Sequence, residues 1–145
     1  MIGFAESHVE EAALAWLAEL GYVTSNGLDI GPDGDAPERA SYGDVLLIER
    51  VRAAVAKLNP SLKAETRAEV LNKLVQAETP SLVAENRRLH RYIIEGVPVE
   101  VQRPDGTISG EQVRLIDFDD PDANDWLAVN QYIVMKTRRN DARTW

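Results

Sequence analysis

Two glutamates near the start of the chain have a spacing that could support metal chemistry. Glu6 and Glu10 are four residues apart, about one helical turn, so both carboxylates could face one cleft and help to bind a divalent cation. A structural interpretation is also available, because Ser7 followed by Glu10 three residues later matches a helix capping box. The sequence leaves both interpretations open.

An acidic run lies between residues 115 and 126, which include five aspartates and no basic residue. A calcium loop of the EF-hand type needs glycine at its sixth position and glutamate at its twelfth, where a loop counted from Asp117 has Asp122 and Ala128. We therefore predict that the aspartate and asparagine side chains of the segment Asp119 to Asp125 bond to the backbone and shape a turn instead of holding a metal. The five are Asp117, Asp119, Asp120, Asp122 and Asp125.

Basic residues cluster in two places, although the net charge is −8. Such a charge argues against a free-standing, non-specific DNA binder. The segment Asn86-Arg87-Arg88 with Arg91 could contact a phosphate backbone, but a solvated or salt-bridged face is the favoured interpretation. The last ten residues contain Lys136, Arg138, Arg139 and Arg143 against Asp141 alone, so a basic edge follows the acidic run.

Four helices are predicted to position these groups. Apolar residues recur at helical spacing over residues 5–20, followed by Gly21 where a helix C′ glycine belongs. The stripe of this first helix is Val9, Ala12, Ala13, Trp16, Leu17 and Leu20. Asp44 is a candidate cap for a second helix that ends at Asn59-Pro60. A third helix is expected over 64–76 and a fourth from Ser81 to Gly96.

Strands are predicted in the second half of the chain. Val97, Val99 and Val101 alternate, residues 103–107 form a turn, and the chain returns as a strand over 112–118. Residues 126–135 are apolar on both faces, which suits a central strand covered on both sides. The glycine, proline and aspartate of 24–40 indicate a surface loop. We predict an α+β fold in which residues 1–145 form one domain.

Several classes of protein are excluded or disfavoured by composition. The chain has no cysteine, which rules out disulfides and thiolate zinc sites. It has no apolar stretch long enough to span a membrane and no signal-peptide pattern at its start, so we expect a cytoplasmic protein. The glycine motifs of nucleotide-binding loops and the His-Glu-x-x-His motif of zinc proteases are also absent from the sequence.

Taken in order, a series of short segments is similar to the N-terminal region of the R (HsdR) subunit of type I restriction enzymes. Each segment alone is weak, but their shared order is specific. In the first half they are Phe4-Ala5-Glu6-Ser7, Glu10 to Tyr22, Glu38 to Val45 and Leu58-Asn59-Pro60. In the second half they are Asn86 to His90, Glu95 to Val99, Leu115 to Phe118, Asn124-Asp125-Trp126 and Val129 to Tyr132.

This resemblance implies a helical cap of about four helices on the first strands of a restriction-endonuclease-like sheet. In the family, Arg-Arg-Pro-Asp opens the PD-(D/E)XK nuclease motif, and Arg138-Arg139-Asn140-Asp141 aligns with it. Asp141 would then be a catalytic metal ligand, Glu10 or Glu6 an additional acid, and Arg138 and Arg139 DNA contacts. The intact subunit would use Mg²⁺ to cleave duplex DNA beside modification and specificity subunits, and ATP only through a motor domain that is absent from these 145 residues.

The chain departs from the family pattern after Arg139. Asn140 replaces the proline, Ala142-Arg143-Thr144-Trp145 replaces an apolar strand, and no Asp-x-Lys or Glu-x-Lys occurs in the sequence. We therefore expect a truncated or frame-altered N-terminal segment that is inactive by itself. The alternative is a non-catalytic interaction or regulatory domain that docks on a partner subunit. An incomplete sheet would leave an unpaired edge, so a homo-oligomer is also expected.

Overall fold

A computed structural model describes residues 5–135 of the chain. Its α-helices are α1 (Glu6–Glu19), α2 (Ile48–Leu58), α3 (Ala64–Val75) and α4 (Leu82–Glu95), and Pro121–Ala123 form a short 3-10 helix. Its strands are β1 (Val23–Asn26), β2 (Val97–Gln102), β3 (Ile108–Val113) and β4 (Leu127–Asn130). The fold is therefore α+β, as predicted. None of the described helices has the length and apolar character that crossing a membrane requires.

The described residues divide into two compact units. Unit 1 contains residues 5–47 and 126–135, and unit 2 is the continuous segment 48–125. The assignment of residues 1–145 to a single domain stays a prediction. Two regions of chain that are distant in sequence thus make up unit 1, whereas unit 2 is local.

Unit 2 packs three helices against a hairpin of two strands. β2 and β3 are antiparallel, with Val97 opposite Val113. Its core consists of buried apolar side chains from the three helices, both strands and the connection between α2 and α3: Val55, Leu62, Val70, Tyr92, Val97, Val99 and Val113. The predicted ends of α4 are confirmed, because the Ser81 hydroxyl accepts from the Ala84 amide at 3.3 Å and Gly96 follows the helix with φ +91°.

The return strand of this hairpin begins earlier than predicted. The sequence indicated 112–118, whereas β3 is Ile108–Val113. The reason is the turn, in which the Arg103 amide donates to the Thr107 carbonyl at 2.8 Å. Because this bond closes the turn at Thr107, pairing starts with the next residue. The side chain of Asn59, just after α2, holds the backbone of Arg114 at the end of the hairpin. Its Oδ1 accepts from the Arg114 amide at 2.9 Å, and its Nδ2 donates to the Arg114 carbonyl at 2.8 Å.

Unit 1 packs α1 against β1 and β4, which form a parallel pair with Val23 opposite Leu127. The side of the first helix that faces the sheet overlaps the predicted stripe only at Leu17. Its half-buried side chains are Glu10, Leu14 and Leu17, whereas Val9, Trp16 and Leu20 of the predicted stripe are 61–76% exposed. Periodicity located an apolar stripe, but the sheet covers the neighbouring face of the helix.

Three further expectations for unit 1 need correction. Part of the predicted loop 24–40 is strand β1, and Ile30 and Arg39 within it are only 3% and 6% exposed. The predicted central strand 126–135 is shorter, since β4 ends at Asn130 and has one neighbour, β1, among the described strands. Asp44 does not begin α2, because its carboxylate accepts from the Ser41 amide at 3.0 Å and the helix starts four residues later.

Candidate functional site

Glu10 carries the best-defined polar site in unit 1. Its carboxylate lies on the half-buried side of α1 and accepts hydrogen bonds from two side-chain amides. Gln131 Nε2 lies 2.8 and 2.9 Å from the two carboxylate oxygens, and Asn130 Nδ2 lies 3.3 Å from one of them. The first helix and the end of β4 are therefore joined through one charged group.

The backbone beneath this group is closely packed. Gln131 has φ +54°, a left-handed conformation that costs a residue other than glycine about 1 kcal/mol. The Gly27 amide donates to the Asn130 carbonyl at 2.7 Å. A Cβ atom at position 27 would stand 2.3 Å from the Gln131 carbonyl oxygen, so only glycine fits there. This close approach of Gly27 and Gln131, the residues that follow the paired strands β1 and β4, restricts the direction in which the Gln131 side chain leaves the sheet.

The arrangement leaves Glu10 able to bind a cation. Neutral amides orient its two oxygens, and each carboxylate oxygen can accept more than one bond. No basic side chain among residues 5–135 forms an ion pair with it. Within that same range, no three acidic, histidine or cysteine side chains come together as a metal site. Glu10 could thus be one ligand of a site, but the described residues do not complete it.

The other predicted site residues have different outcomes. Glu6 is exposed in the first turn of α1, and the capping-box interpretation of Ser7 and Glu10 is wrong. The residue at the cap position is Ala5, which has no side-chain cap bond, and the carboxylate of Glu10 turns to the amides after β4 instead. Asp141, Arg138 and Arg139 lie outside the described residues.

The turn predicted in the acidic run is observed, but the side chains that bond its backbone are those of Asp117 and Asn124, whereas Asp125 pairs with Arg50 at 2.9 Å. The Asp117 carboxylate accepts from the amides of Asp119 and Asp120 at 3.0 Å each. These backbone donors, with Arg114 as a further partner, hold the pKa of Asp117 below its ordinary value. The side chain of Asn124 bonds both the amide and the carbonyl of Asp117, at 2.8 and 2.7 Å. The turn is thus built by side chains that bond the backbone.

The basic segment on α4 separates into two kinds of arginine. Arg88 is ion-paired with Glu85 at 2.7 Å, so the salt-bridged interpretation is confirmed for it. This guanidinium lowers the pKa of Glu85, and the carboxylate raises that of Arg88. Arg87 and Arg91 are exposed on the same helix.

Sequence reasoning did not assign Asn130 and Gln131 to a site. The signal available was an adjacent pair of amide side chains at the end of an apolar run, where polar groups at the end of a strand are well placed to bind. Their contact with Glu10 joins positions more than 100 residues apart. It also depends on the left-handed backbone conformation of Gln131, which the residue type does not predict.

Comparison with known proteins identifies the family. A family model described as the type I restriction enzyme R protein N terminus matches residues 3–143. The chain belongs to this family. The chain is 30% identical over 138 residues to the type I restriction enzyme HindI endonuclease subunit of Haemophilus influenzae. It is also 31% identical over 126 residues to a Methanocaldococcus jannaschii protein named provisionally as the type I restriction enzyme MjaIXP endonuclease subunit.

These alignments cover most of this R-protein N terminus but little of the relatives. They include 95% and 87% of the chain, yet only 13% and 12% of the Haemophilus and Methanocaldococcus proteins. The chain therefore spans about an eighth of the length of these relatives. No solved structure gives a significant match.

Proposed function

We propose that the chain is the N-terminal segment of the DNA-cleaving R subunit of a type I restriction-modification system, in which Glu10 supplies one carboxylate to a Mg²⁺ site. Family membership supports the subunit, since the relatives are named as endonuclease subunits. The observation that carries the site is the Glu10 carboxylate, oriented by Gln131 and Asn130 and without a basic partner in the described chain.

The donor set fits a hard cation. Mg²⁺ prefers oxygen ligands, and one or two carboxylates are its usual protein contribution at phosphate-handling sites. When bound, the ion would polarise the scissile phosphate and lower the pKa of the attacking water. Within this proposal Gln131 and Asn130 orient Glu10, Asp141 is the second carboxylate, and Arg138 and Arg139 contact the DNA phosphates. A PD-(D/E)XK arrangement of helical cap and sheet belongs to the same proposal.

By itself the chain is proposed to be inactive as a nuclease. None of its lysines, Lys57, Lys63, Lys73 and Lys136, stands two residues after an acid. The lysine of such a motif positions water or stabilises developing charge, so a site without it lacks a catalytic component. Translocation with ATP, binding of duplex DNA, and assembly with modification and specificity subunits are proposed for the complete subunit.

Titration of the 145-residue chain with Mn²⁺, as a paramagnetic substitute for Mg²⁺, tests the role of Glu10. We expect Glu10→Gln to weaken binding about tenfold, because it removes a ligand charge but keeps the side-chain shape. Glu11→Gln is a matched control on the same helix and should leave the affinity unchanged. Equal binding by wild type and Glu10→Gln would exclude Glu10 as a ligand.

A plasmid nicking assay tests the inactivity of the isolated chain. With Mg²⁺ and supercoiled DNA we expect no nicks above a buffer control. Mg²⁺-dependent nicking that disappears in Asp141→Ala would show that the chain contains a working site and would contradict the proposal.

A second candidate function is a non-catalytic domain that docks on a partner subunit. The observation that favours it is the exposed apolar side of α1, with Trp16 68% and Leu20 76% exposed. Co-purification with modification and specificity subunits tests it, and Trp16→Ser should reduce recovery of the complex. Equal recovery of wild type and Trp16→Ser would argue against docking through this helix.

A further inference from the structure

Unit 1 contains a buried guanidinium that the proposed function does not use. Arg39 is 6% exposed, and it donates from Nη1 to the Asp44 carbonyl at 3.1 Å and from Nη2 to the Ile133 carbonyl at 2.6 Å. Its Cζ lies 4.0 Å from the ring centre of Tyr132 and 5.4 Å from that of Tyr42. Burying a charge is costly unless it is compensated. Here two carbonyl dipoles and two ring faces supply part of the compensation, and Nε has no hydrogen-bond partner among the described residues.

These contacts fix the chain that follows β4. The Tyr132 hydroxyl donates to the Val45 carbonyl at 2.9 Å, and the Met135 amide donates to the Tyr42 carbonyl at 2.8 Å. The side chains of Ile133, Val134 and Met135 are 40–58% exposed, so they contribute little core packing. The path of residues 132–135 is therefore set by Arg39, its two tyrosines and these backbone bonds.

This short segment begins one residue after Gln131. The Gln131 backbone is in the left-handed region, and its amide holds both oxygens of Glu10. On its N-terminal side Gln131 is fixed by the pairing of β4 with β1, and on its C-terminal side by Tyr132 and Ile133. If that second anchor is released, Gln131 can leave its strained backbone conformation and its amide moves away from Glu10.

We propose that Arg39 is a positioning residue: it holds the chain at Tyr132 and Ile133 so that Gln131 orients the Glu10 carboxylate. Arginine suits this task because its planar fork donates in two directions while it lies flat against a ring. Lysine would keep the charge but has no planar fork to stack on Tyr132 while bonding both carbonyls. The consequence for metal binding rests on the proposed function, whereas the control of Gln131 does not.

The test uses Arg39→Lys in the full 145-residue chain with two readouts by nuclear magnetic resonance. The first is the Overhauser contact between the Gln131 Nε2 protons and the Glu10 side chain, which we expect to be lost. The second is hydrogen exchange at the Met135 amide, which we expect to accelerate about tenfold as the segment opens locally. Mn²⁺ titration is the third arm, with affinity expected to fall about tenfold when the orientation of a ligand is lost.

Arg88→Lys is the matched control. Arg88 is a second, largely buried guanidinium; it lies 5.1 Å from the ring of Tyr92 and donates to two backbone carbonyls. A general loss of stability would affect both variants, so Arg88→Lys should leave all three readouts at wild-type values. Tyr132→Leu removes the ring beneath Arg39 and provides a second variant if Arg39→Lys does not fold.

Retention of the Gln131–Glu10 contact and of slow Met135 exchange in Arg39→Lys or Tyr132→Leu would overturn the role of Arg39. The metal arm is judged separately. If Glu10→Gln binds Mn²⁺ as wild type does, the proposed metal site fails, and the contact and exchange readouts alone decide whether Arg39 positions Gln131.

Discussion

Each unit contains an arginine that is largely shielded from solvent, fully buried in the case of Arg39 and partly in the case of Arg88, and their surroundings differ in one respect. Arg39 in unit 1 and Arg88 in unit 2 each bond two backbone carbonyls and lie against tyrosine. Arg88 also has the Glu85 carboxylate at 2.7 Å, whereas Arg39 has no carboxylate at ion-pair distance among residues 5–135. One guanidinium belongs to a charge pair and the other is held by dipoles and rings.

The difference indicates what each arginine is used for. Glu85 also accepts from the backbone amides of Glu78 and Thr79 at 3.0 Å. Its pair with Arg88 therefore holds the connection between α3 and α4 in place and provides acceptors for these two backbone amides. Arg39 binds carbonyls from two distant parts of the chain and so positions backbone. The first arrangement supports the stability of unit 2, and the second supports the geometry beside Glu10 in unit 1.

Arg88→Ala should give the largest loss of stability. It leaves Glu85, which is only 8% exposed, without its cation, and the free energy of unfolding should fall by about 3 kcal/mol. Urea denaturation followed by circular dichroism reports the helices of unit 2. The exposed neighbour Arg87 is the control, and Arg87→Ala should change stability by less than about 0.5 kcal/mol. Similar losses in the two variants would mean that the pair is not structural.

Gly27→Ala tests the close approach of Gly27 to Gln131 in unit 1 and should have the second largest effect. The added methyl group would overlap the Gln131 carbonyl, and overpacking of this kind costs about 2 kcal/mol. Tryptophan fluorescence reports this unit, because Trp16 and Trp126 lie in it and residues 48–125 contain no tryptophan. Gly110→Ala in the hairpin has open space around its new methyl and should be nearly neutral. Equal stability of the two variants would contradict the close approach.

Arg39→Ala should destabilise unit 1 by less than Arg88→Ala destabilises unit 2, by about 1.5 kcal/mol. The smaller value follows because no buried carboxylate is left behind; two carbonyls lose a donor. Urea denaturation followed by tryptophan fluorescence measures it, with exposed Arg52→Ala as the control. A loss as large as that of Arg88→Ala would mean that charge compensation does not distinguish the two sites.

Lowering the pH should distinguish the surroundings of Arg88 from those of Arg39, with the smallest effect of the four tests. The pKa of Glu85 is lowered in the folded chain, chiefly by Arg88, so its contribution is complete above the ordinary pKa of 4.5 and is lost as pH falls through the lower folded value. Glu78 and Tyr92 also face Arg88. The carbonyl acceptors of Arg39 do not titrate. Circular dichroism between pH 6 and 3 should therefore show a weaker acid response in Glu85→Gln than in wild type, and an unchanged response would contradict the assignment.

Local chemistry explains which helix ends could be predicted. Ser81 and Gly96 bound α4 because a hydroxyl cap and a left-handed glycine act within one turn, so residue type is enough. The C′ position of α1 was predictable for the same reason, with Gly21 at φ +96°. Asp44 shows the limit of this reasoning, since its carboxylate has a competing backbone donor in a turn three residues earlier.

Long-range contacts explain what could not be predicted. The buried side of α1 includes Glu10, a residue that hydropathy assigns to solvent, because its partners Asn130 and Gln131 come from the far end of the described chain. Arg39 lies in a segment rich in glycine and proline that reads as a surface loop, yet two tyrosines enclose it. In both cases a polar side chain is buried by partners that no local pattern brings together.

The parallel pairing of β1 with β4 sets an order of events during synthesis. The two strands are separated by roughly 100 residues, and unit 2 lies entirely within that connection. On the ribosome, unit 2 has its whole core once residue 125 has emerged, whereas β1 must wait for its partner strand. The first part of unit 1 is thus made before unit 2 but completed after it, and the hydrogen bonds that orient Glu10 form only after the inserted unit has been translated.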